Sequence, residues 1–509
     1  MITLKGSNLT LKNFIQVVRQ KEAVTIDEQA VDRIETSRDV VNDIVKDKRV
    51  VYGINTGFGK LSDVSINSEK LDQLQLNLLR SHACGTGNIF DEEIVRGMLL
   101  LRINALLKGY SGIRLETIEK MIELLNHDII PVVYEQGSLG ASGDLVPLAH
   151  MALPLIGEGE VFLNHKRMKT LDAFKQSNIK PLDGIHAKEG LALINGTQAM
   201  TSVGALALYD SYYLYLYSII SGGLTLEATN GIIDAFDSRI HTARGQKGQM
   251  RTAEMMRKLL MDSKNITKQG DLRVQDAYSI RCIPQVHGAS LDTFDYILDK
   301  VEIEMNAVTD NPIVFTEDNS AISAGNFHGQ PVALPFDFLS IAISELANIS
   351  ERRLERLVND QLNDRFPAFL VKEKGLNSGF MIVQYAAASL VSENKILAHP
   401  ASVDSIPSSA NQEDHVSMGT IAARKARQVL KHSINVVAME IFTACQALDF
   451  EGKEKLSPQL KAVYNKVREV VPFIEEDEIM QPHMDAITNL LTTHALPTEE
   501  LEALLWKKL

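Results

Sequence analysis

The run Gly137–Asp144 contains a triplet, Ala141-Ser142-Gly143, that can build an electrophile from the chain itself. Polypeptides are rich in nucleophiles and bases, so chemistry that needs an electron-poor carbon usually imports a metal or an organic cofactor. If the Gly143 nitrogen attacks the Ala141 carbonyl carbon, a five-membered ring closes with loss of water. Loss of the Ser142 hydroxyl as a second water then leaves a methylidene group conjugated to the ring. Glycine suits the attacking position because it has no side chain and tolerates unusual dihedral angles.

Two other interpretations of this run compete with the electrophile. Clusters of glycine and serine are most often plain flexible loops, and the triplet alone favours that interpretation. A serine-hydrolase elbow needs the pattern Gly-x-Ser-x-Gly. Ser142 has Gly140 two residues before it but Asp144 two residues after it, so the elbow is excluded. Other features of the sequence must support the electrophile.

Composition narrows the function classes. The chain has 509 residues, enough for two or more domains, and its 45% hydrophobic and 23% charged residues are ordinary for a globular protein. A net charge of -13 argues against a general binder of nucleic acids or acidic membranes. Cys84, Cys282 and Cys445 are scattered without a zinc pattern, which fits a reducing compartment. The cysteine spacing predicts no metal site. No secretory signal pattern opens the sequence, so we expect a cytoplasmic protein.

Helical periodicity dominates the second half of the sequence. Apolar residues recur at three- and four-residue steps over 339–358, and similar patterns cover about 378–398 and 416–449. Residues 202–228 are apolar enough to suggest a membrane span, but the tyrosine hydroxyls in that stretch need partners that lipid cannot supply. We therefore expect a buried helix there. The strongest strand signal is a hairpin over 160–166. The sequence predicts a mainly α protein built as a long-helix bundle.

Polar, glycine-spaced loops interrupt the helices, and such loops are where function tends to lie. Together with the triplet they resemble, in order and over nearly the whole chain, the aromatic amino acid ammonia-lyases, most closely the histidine-specific members. The matching runs are Tyr-Gly-Ile-Asn-Thr-Gly-Phe-Gly at 52–59, Ser-His at 81–82, Gly-Ser-Leu-Gly-Ala-Ser-Gly-Asp-Leu at 137–145, Leu-Ile-Asn-Gly-Thr at 193–197, Gln-Asp-Ala-Tyr-Ser-Ile-Arg-Cys at 275–282, Gly-Asn-Phe-His-Gly at 325–329 and Ser-Ser-Ala-Asn-Gln-Glu-Asp-His-Val-Ser-Met at 408–418.

The resemblance carries expectations for fold, cofactor and partners. It implies a long-helix bundle of the ammonia-lyase and fumarase-like type, with a smaller N-terminal domain over 1–194 that carries active-site loops and a bundle domain over 195–509. In this family Ala141-Ser142-Gly143 becomes methylidene-imidazolone, so no external cofactor is expected. The implied reaction converts L-histidine to trans-urocanate and ammonia without oxidation. The implied assembly is a homotetramer whose active sites are shared between subunits.

Three residues take catalytic roles by resemblance, beside the triplet. Tyr52 is the candidate base for the β-proton. A free tyrosine titrates near ~10, so a phenolate at neutral pH needs nearby positive charge or helix dipoles. Asn195 and Tyr278 match positions beside the electrophile, where their donors could orient the amine and stabilise developing charge. Each of the three could instead only pack or tie loops together.

Five residues are candidates for binding the substrate. Arg281 suits the carboxylate, because its guanidinium can form two parallel hydrogen bonds; a structural salt bridge is the alternative. Gln275 and Phe327 match pocket-lining positions. His82 and Glu413 match the histidine-specific pattern, and a buried imidazole needs partners for its ring nitrogens. Phenylalanine- and tyrosine-specific relatives usually carry glutamine in place of Glu413, whereas tyrosine-specific members also carry histidine near His82.

Alternatives remain at this point. Val146, Ala149 and the segment Tyr134–Gln136 depart modestly from the histidine-specific pattern around the triplet. They leave room for a phenylalanine or tyrosine ammonia-lyase, or for an aminomutase that adds the amine back at the β-carbon. A helical scaffold with a degenerate site is the non-enzymatic alternative. The sequence also leaves open whether the electrophile attacks the amine or the imidazole ring.

Overall fold

The computed structural model describes residues 1–506, and helices dominate them. Short capping motifs begin several of these helices: Asp27 accepts a hydrogen bond from the Gln29 amide, and Ser457 accepts one from the Leu460 amide. The α-helices within residues 1–506 are Leu11–Val18, Glu28–Lys46, Leu71–His82, Glu92–Leu106, Leu115–Asn126, Leu145–Ala152, Thr170–Ser177, Glu189–Ile194, Gln198–Ala228, Ser238–Arg244, Lys247–Leu259, Tyr278–Arg281, Ile283–Met305, Gln330–Val358, Asp360–Asn363, Met381–Leu397, Gly419–Phe450, Pro458–Arg468, Gln481–Thr492 and Glu499–Leu505. The prediction of a mainly α fold with long helices is confirmed.

The strands are short and form small local sheets. The predicted hairpin is present: Glu160–Leu163 pairs antiparallel with Lys166–Lys169. Asn164 and His165 both have positive φ, as a tight two-residue hairpin turn requires. The strands are Ile2–Leu4 parallel to Val24–Ile26, Thr86–Ile89 antiparallel to Tyr134–Gln136, Ile130–Pro131 beside the hairpin just described, and Ile313–Phe315 antiparallel to Ser320–Ile322.

The chain forms two compact units, each discontinuous in sequence. Unit 1 comprises Met1–Leu206, Leu298–Asp337 and Pro400–Arg424, and unit 2 comprises Ala207–Ile297, Phe338–His399 and Lys425–Leu509. All the strands within residues 1–506 belong to unit 1. The sequence-based division between residues 194 and 195 stays a prediction.

The apolar stretch 202–228 lies in the helix Gln198–Ala228, and its side chains are almost all buried. The tyrosine hydroxyls have protein partners: Tyr215 bonds Thr252 at 2.7 Å, and Tyr217 bonds His494 at 2.9 Å. The expectation of a buried helix with satisfied hydroxyls is therefore confirmed. The helix Gln330–Val358 is long and apolar enough to cross a membrane, but 67% of its most apolar window is buried, as in core helices of globular proteins.

A buried ion pair lies in the core of unit 2. Arg353 donates to both carboxylate oxygens of Glu440, at 2.6 and 2.8 Å, and neither side chain is exposed. Thr225 and Ser350 donate to the same carboxylate at 2.7 and 2.6 Å, so its lone pairs are well used. Burial and the Arg353 charge hold the pKa of the neighbouring His287 well below its ordinary value. Removing one member of the pair would leave the other charged and unpaired in the core.

Candidate active site

A cavity of about 750 Å³ lies in unit 1, and the residues that line it all belong to that unit. Loops far apart in sequence meet around it, including the turn after Tyr52, the triplet loop and the segment 409–413. A cavity of this size holds a small molecule comfortably. The predicted site residues that line it are Tyr52, His82, Ser142, Asn195, Phe327 and Glu413.

The triplet loop packs against the residues that follow Asn195. Gly143 has φ +71°, and a Cβ there would lie 2.1 Å from the Gly196 carbonyl oxygen. The Asp144 amide donates to the same oxygen at 2.7 Å. The Asn195 Nδ2 donates to the Ser142 carbonyl oxygen at 3.0 Å. Only glycine fits at Gly143, for both backbone and steric reasons, as the cyclisation hypothesis requires.

Asp144 stabilises the triplet loop through hydrogen bonds of its side chain, a role that the sequence did not reveal. Its buried carboxylate accepts the Met200 amide at 2.8 Å and the Ser138 hydroxyl at 2.9 Å, and it also bonds the Thr420 hydroxyl. Burial raises the pKa of Asp144, while these hydrogen bonds act in the opposite direction. The position of an acid directly after Gly143 was the available signal, but it served only to exclude a serine-hydrolase elbow.

Asn195 ends the helix Glu189–Ile194 and is held by buried charges that sequence reasoning also missed. Arg102 donates to the Asn195 carbonyl at 3.0 Å and to the Thr309 carbonyl at 3.2 Å. Burial lowers the pKa of Arg102 to about 10, so it remains charged at neutral pH. Lys188 forms a 2.9 Å ion pair with Asp310, with both side chains almost fully buried. The Asn195 Oδ1 is buried without a hydrogen-bond partner within residues 1–506.

Tyr52 belongs to a glycine-rich turn that is fixed by Ile54. The Ile54 side chain is fully buried in an apolar cluster with the helix Glu28–Lys46. The Tyr52 hydroxyl accepts a hydrogen bond from the Gly59 amide at 3.4 Å. Burial raises the pKa of Tyr52, the Gly59 amide lowers it, and the charge of Glu413 raises it further. The surroundings of Tyr52 in this chain therefore favour the neutral phenol.

Glu413 faces the triplet directly. Its Oε1 accepts the Ser142 hydroxyl at 3.1 Å, and its Oε2 accepts the Ser408 hydroxyl at 3.1 Å. His82, at the end of the helix Leu71–His82, has its Nδ1 3.0 Å from the Ser81 hydroxyl. Burial lowers the pKa of His82, and a hydrogen bond to the Leu78 backbone and the Glu413 charge oppose this shift in part, so the surroundings favour the neutral imidazole. The cavity thus presents one carboxylate and one neutral imidazole.

Five predicted residues do not line this cavity: Ala141 and Gly143, which flank Ser142 in the triplet, and Gln275, Tyr278 and Arg281. Gln275, Tyr278 and Arg281 belong to unit 2, and Gln275 and Tyr278 are exposed, the latter by 71%. The Arg281 guanidinium lies 4.6 Å above the Tyr278 ring. The Arg281 Nε is buried without a hydrogen-bond partner within residues 1–506. Gln275, Tyr278 and Arg281 are therefore described as a group of unit 2.

Comparison with known proteins identifies the family. A family model described as aromatic amino acid lyase matches residues 9–469. The chain belongs to this family. Among curated relatives of this lyase, histidine ammonia-lyase of Alkaliphilus oremlandii is 55% identical over 490 residues, covering 96% of each chain. Histidine ammonia-lyase of Bacillus subtilis is 54% identical over 496 residues, covering 97% of each.

Solved structures agree with this assignment. The crystal structure of histidine ammonia-lyase from Trypanosoma cruzi matches the lyase with a TM-score of 0.91 at 41% identity, covering 99% of this chain and 95% of that one. Tyrosine aminomutase from Streptomyces globisporus matches with a TM-score of 0.94 at 36% identity, covering 97% of each chain. The expected long-helix ammonia-lyase fold is confirmed. The shared fold spans ammonia-lyases and aminomutases, so substrate and outcome must be argued from the site.

Proposed function

We propose that this lyase removes ammonia from L-histidine without oxidation and releases trans-urocanate. The observation that carries the proposal is the meeting of Glu413 and His82 with the Ser142 loop in one cavity. The histidine ammonia-lyases that match over nearly the whole chain support the same substrate. The physical difficulty of the reaction is that the β-hydrogen is barely acidic and a neutral amine leaves poorly.

We infer that Ala141-Ser142-Gly143 carries a methylidene-imidazolone, formed by the chain without an external cofactor. The left-handed Gly143 backbone, its lack of space for a Cβ, and the Asn195 donor on the Ser142 carbonyl all fit such a ring. The group supplies an electron-poor carbon, which is the chemistry that converts the amine into a better leaving group. Asp144, held by three hydrogen bonds, keeps this loop compact.

The remaining catalytic roles fall to the chain's own polar groups. Tyr52 is the proposed base for the β-proton, in its phenolate form. Because burial raises the pKa of Tyr52 within one chain, positive charge from elsewhere must lower it. Asn195 is the proposed residue that orients the substrate amine, since it lines the cavity and contacts Ser142. Phe327 contributes an apolar wall to the cavity.

Glu413 and His82 are the proposed ring-binding pair. A carboxylate accepts a ring N–H, and a charged hydrogen bond in a partly buried cavity is worth more than a neutral one. A phenylalanine ring offers no such donor and would leave the Glu413 charge desolvated without compensation. The second candidate function is a tyrosine- or phenylalanine-directed lyase or aminomutase, which the aminomutase likeness favours.

We propose a homotetramer in which a second copy brings Tyr278, Arg281 and Gln275 to the cavity. Their absence from the cavity lining within one chain, and the exposure of Tyr278, support this. Arg281 from another copy would then bind the substrate carboxylate, and its charge would lower the pKa of Tyr52. An exposed apolar groove on unit 2, bordered by Tyr296, Phe338 and Ile341 at 40–50% exposure, suits contact between copies. We also propose a cytoplasmic location, without nucleic-acid or membrane partners.

A substrate panel tests the proposed function. The purified protein is incubated with L-histidine, L-phenylalanine or L-tyrosine, and the unsaturated product is followed by ultraviolet absorbance. We expect product from L-histidine only, and the intact mass should lie two waters below the sequence mass. Ser142→Ala should lose most turnover while remaining folded, since the loop keeps its size. Product from tyrosine alone would overturn the substrate; an unmodified parent mass would overturn the electrophile.

A further inference from the structure

The Ser142 hydroxyl contacts Glu413, a side chain that the proposed function assigns to substrate binding. Its hydrogen bond to Glu413 Oε1 is 3.1 Å long. Ser408 holds the other carboxylate oxygen at 3.1 Å, and two backbone hydrogen bonds, of 2.9 and 3.3 Å, join Ser408 and Glu413. Both carboxylate oxygens of Glu413 are therefore hydrogen-bonded, Oε1 to Ser142 and Oε2 to Ser408. Within residues 1–506, Glu413 is the ionisable side chain that bonds this hydroxyl.

This contact can exist only before the serine is dehydrated. In the mature protein the Ser142 oxygen has left as water, and Glu413 is then free to face the substrate ring. The same side chain thus contacts two different groups at two stages in the life of the protein. This inference rests on the proposed function, because it concerns how the electrophile forms.

We propose that Glu413 is the general acid that expels the Ser142 hydroxyl during maturation. In this step the Cα–H bond of Ser142 breaks and its electron pair forms the Cα=Cβ double bond. A solvent proton first adds to the Glu413 carboxylate. The Cβ–Oγ bond then breaks, and the oxygen takes that proton and leaves as water. The Cα proton passes to solvent. The step releases one water and needs no oxidant or reductant.

Asn195 assists from the other end of the same residue. Its Nδ2 donates to the Ser142 carbonyl oxygen at 3.0 Å. A hydrogen bond there stabilises the negative charge that develops on this oxygen as the Cα proton leaves. Proton loss at Cα and hydroxyl loss at Cβ are thus each supported by a positioned side chain.

The chemistry of the side chain at position 413 sets the size of the expected effect. An amide in place of the carboxyl can hold the hydroxyl but is a poor proton donor. The carboxyl of Glu413 should therefore accelerate dehydration in this chain rather than be required for it. A positioned general acid typically contributes ~10²–10⁴-fold to a rate.

A time course of intact mass tests the proposal without measuring turnover. Parent, Glu413→Gln and Asp414→Asn chains are made in a cell-free system, synthesis is stopped, and the soluble fraction is sampled for mass. Asp414 is a matched control, an exposed carboxylate adjacent in sequence. We expect Glu413→Gln to reach the doubly dehydrated mass at least about tenfold more slowly than the other two. Ser408→Ala, which frees one carboxylate oxygen, should slow dehydration to a smaller extent.

The outcomes separate this proposal from the proposed function. If the parent loses two waters and Glu413→Gln does so within a factor of about two of the parent rate, Glu413 has no role in maturation, and the electrophile stands. If Asp414→Asn is as slow as Glu413→Gln, local charge rather than proton donation controls the rate, and the proposal is overturned. If the parent itself never loses water, the proposed function fails, and this inference fails with it.

Discussion

Replacing Glu413 with glutamine should reduce histidine turnover far more than protein stability. Glutamine has nearly the same shape, so the Ser408 contact and the turn around it can persist. The change removes a negative charge that would accept a ring N–H. Hydrogen bonds to charged groups contribute about 1.5–3 kcal/mol. At 1.4 kcal/mol per factor of ten, kcat/KM for L-histidine should fall by about 10- to 150-fold.

The assay must count active sites, because the same substitution is expected to slow maturation. Product formation is followed by ultraviolet absorbance and divided by the fraction of protein that has lost two waters. The Glu413 charge also raises the pKa of Tyr52, so its removal should lower that pKa and shift the pH profile toward lower pH. Asp414→Asn serves as the control and should match the parent. A loss below about twofold per mature site would refute the ring-binding role, and an unshifted profile would refute the effect of the Glu413 charge on Tyr52.

Three further predictions concern the loop, the base and the core. Gly143→Ala should lower the free energy of unfolding by at least about 1–2 kcal/mol, because alanine is strained in the left-handed backbone at this position. The variant should also keep the unmodified mass, because the new Cβ would meet the Gly196 oxygen. A stable variant that loses two waters would contradict this prediction. Tyr52→Phe should abolish the rise of kcat/KM with pH, since the base acts deprotonated and burial raises its pKa; an unchanged profile would exclude Tyr52 as the base. Arg353→Met should cost about 3–5 kcal/mol in denaturant unfolding by stranding Glu440, and a loss under about 1 kcal/mol would show that the pair is dispensable.

Much of the fold was predictable because it follows from local periodicity. The stripe from Leu339 to Val358 is buried within one long helix, as three- and four-residue spacing requires. The hairpin over 160–166 was predictable because the turn residues Asn164 and His165 directly follow the short apolar run at 161–163. Exact helix ends were less predictable: the pattern expected over 378–398 forms Met381–Leu397. The discontinuous make-up of the two compact units had no local signal, since it depends on contacts between distant segments.

The residue types of the candidate site were predictable, but the buried charged residues that hold them in place were not. Tyr52, Ser142 and Glu413 were found because they lie in recognisable motifs, and they do meet around one cavity. Arg102, Lys188 and their partners escaped notice because a charged residue inside a helical or loop pattern gives no sign of burial. Nor could the sequence separate the cavity residues from Tyr278 and Arg281, which the fold of one chain keeps in another unit.

The sequence by itself identified the family of this lyase and the candidate residues of its site, because the triplet Ala141-Ser142-Gly143 and the loop motifs around it are recognisable from residue order alone. Only the tertiary structure decided which side chains surround these residues and how burial shifts their pKa values. Burial lowers the pKa of His82 and raises the pKa of Tyr52, and both effects depend on which distant segments exclude water. The 3.1 Å contact between Ser142 and Glu413 joins residues 271 positions apart, and only the folded chain brings them together.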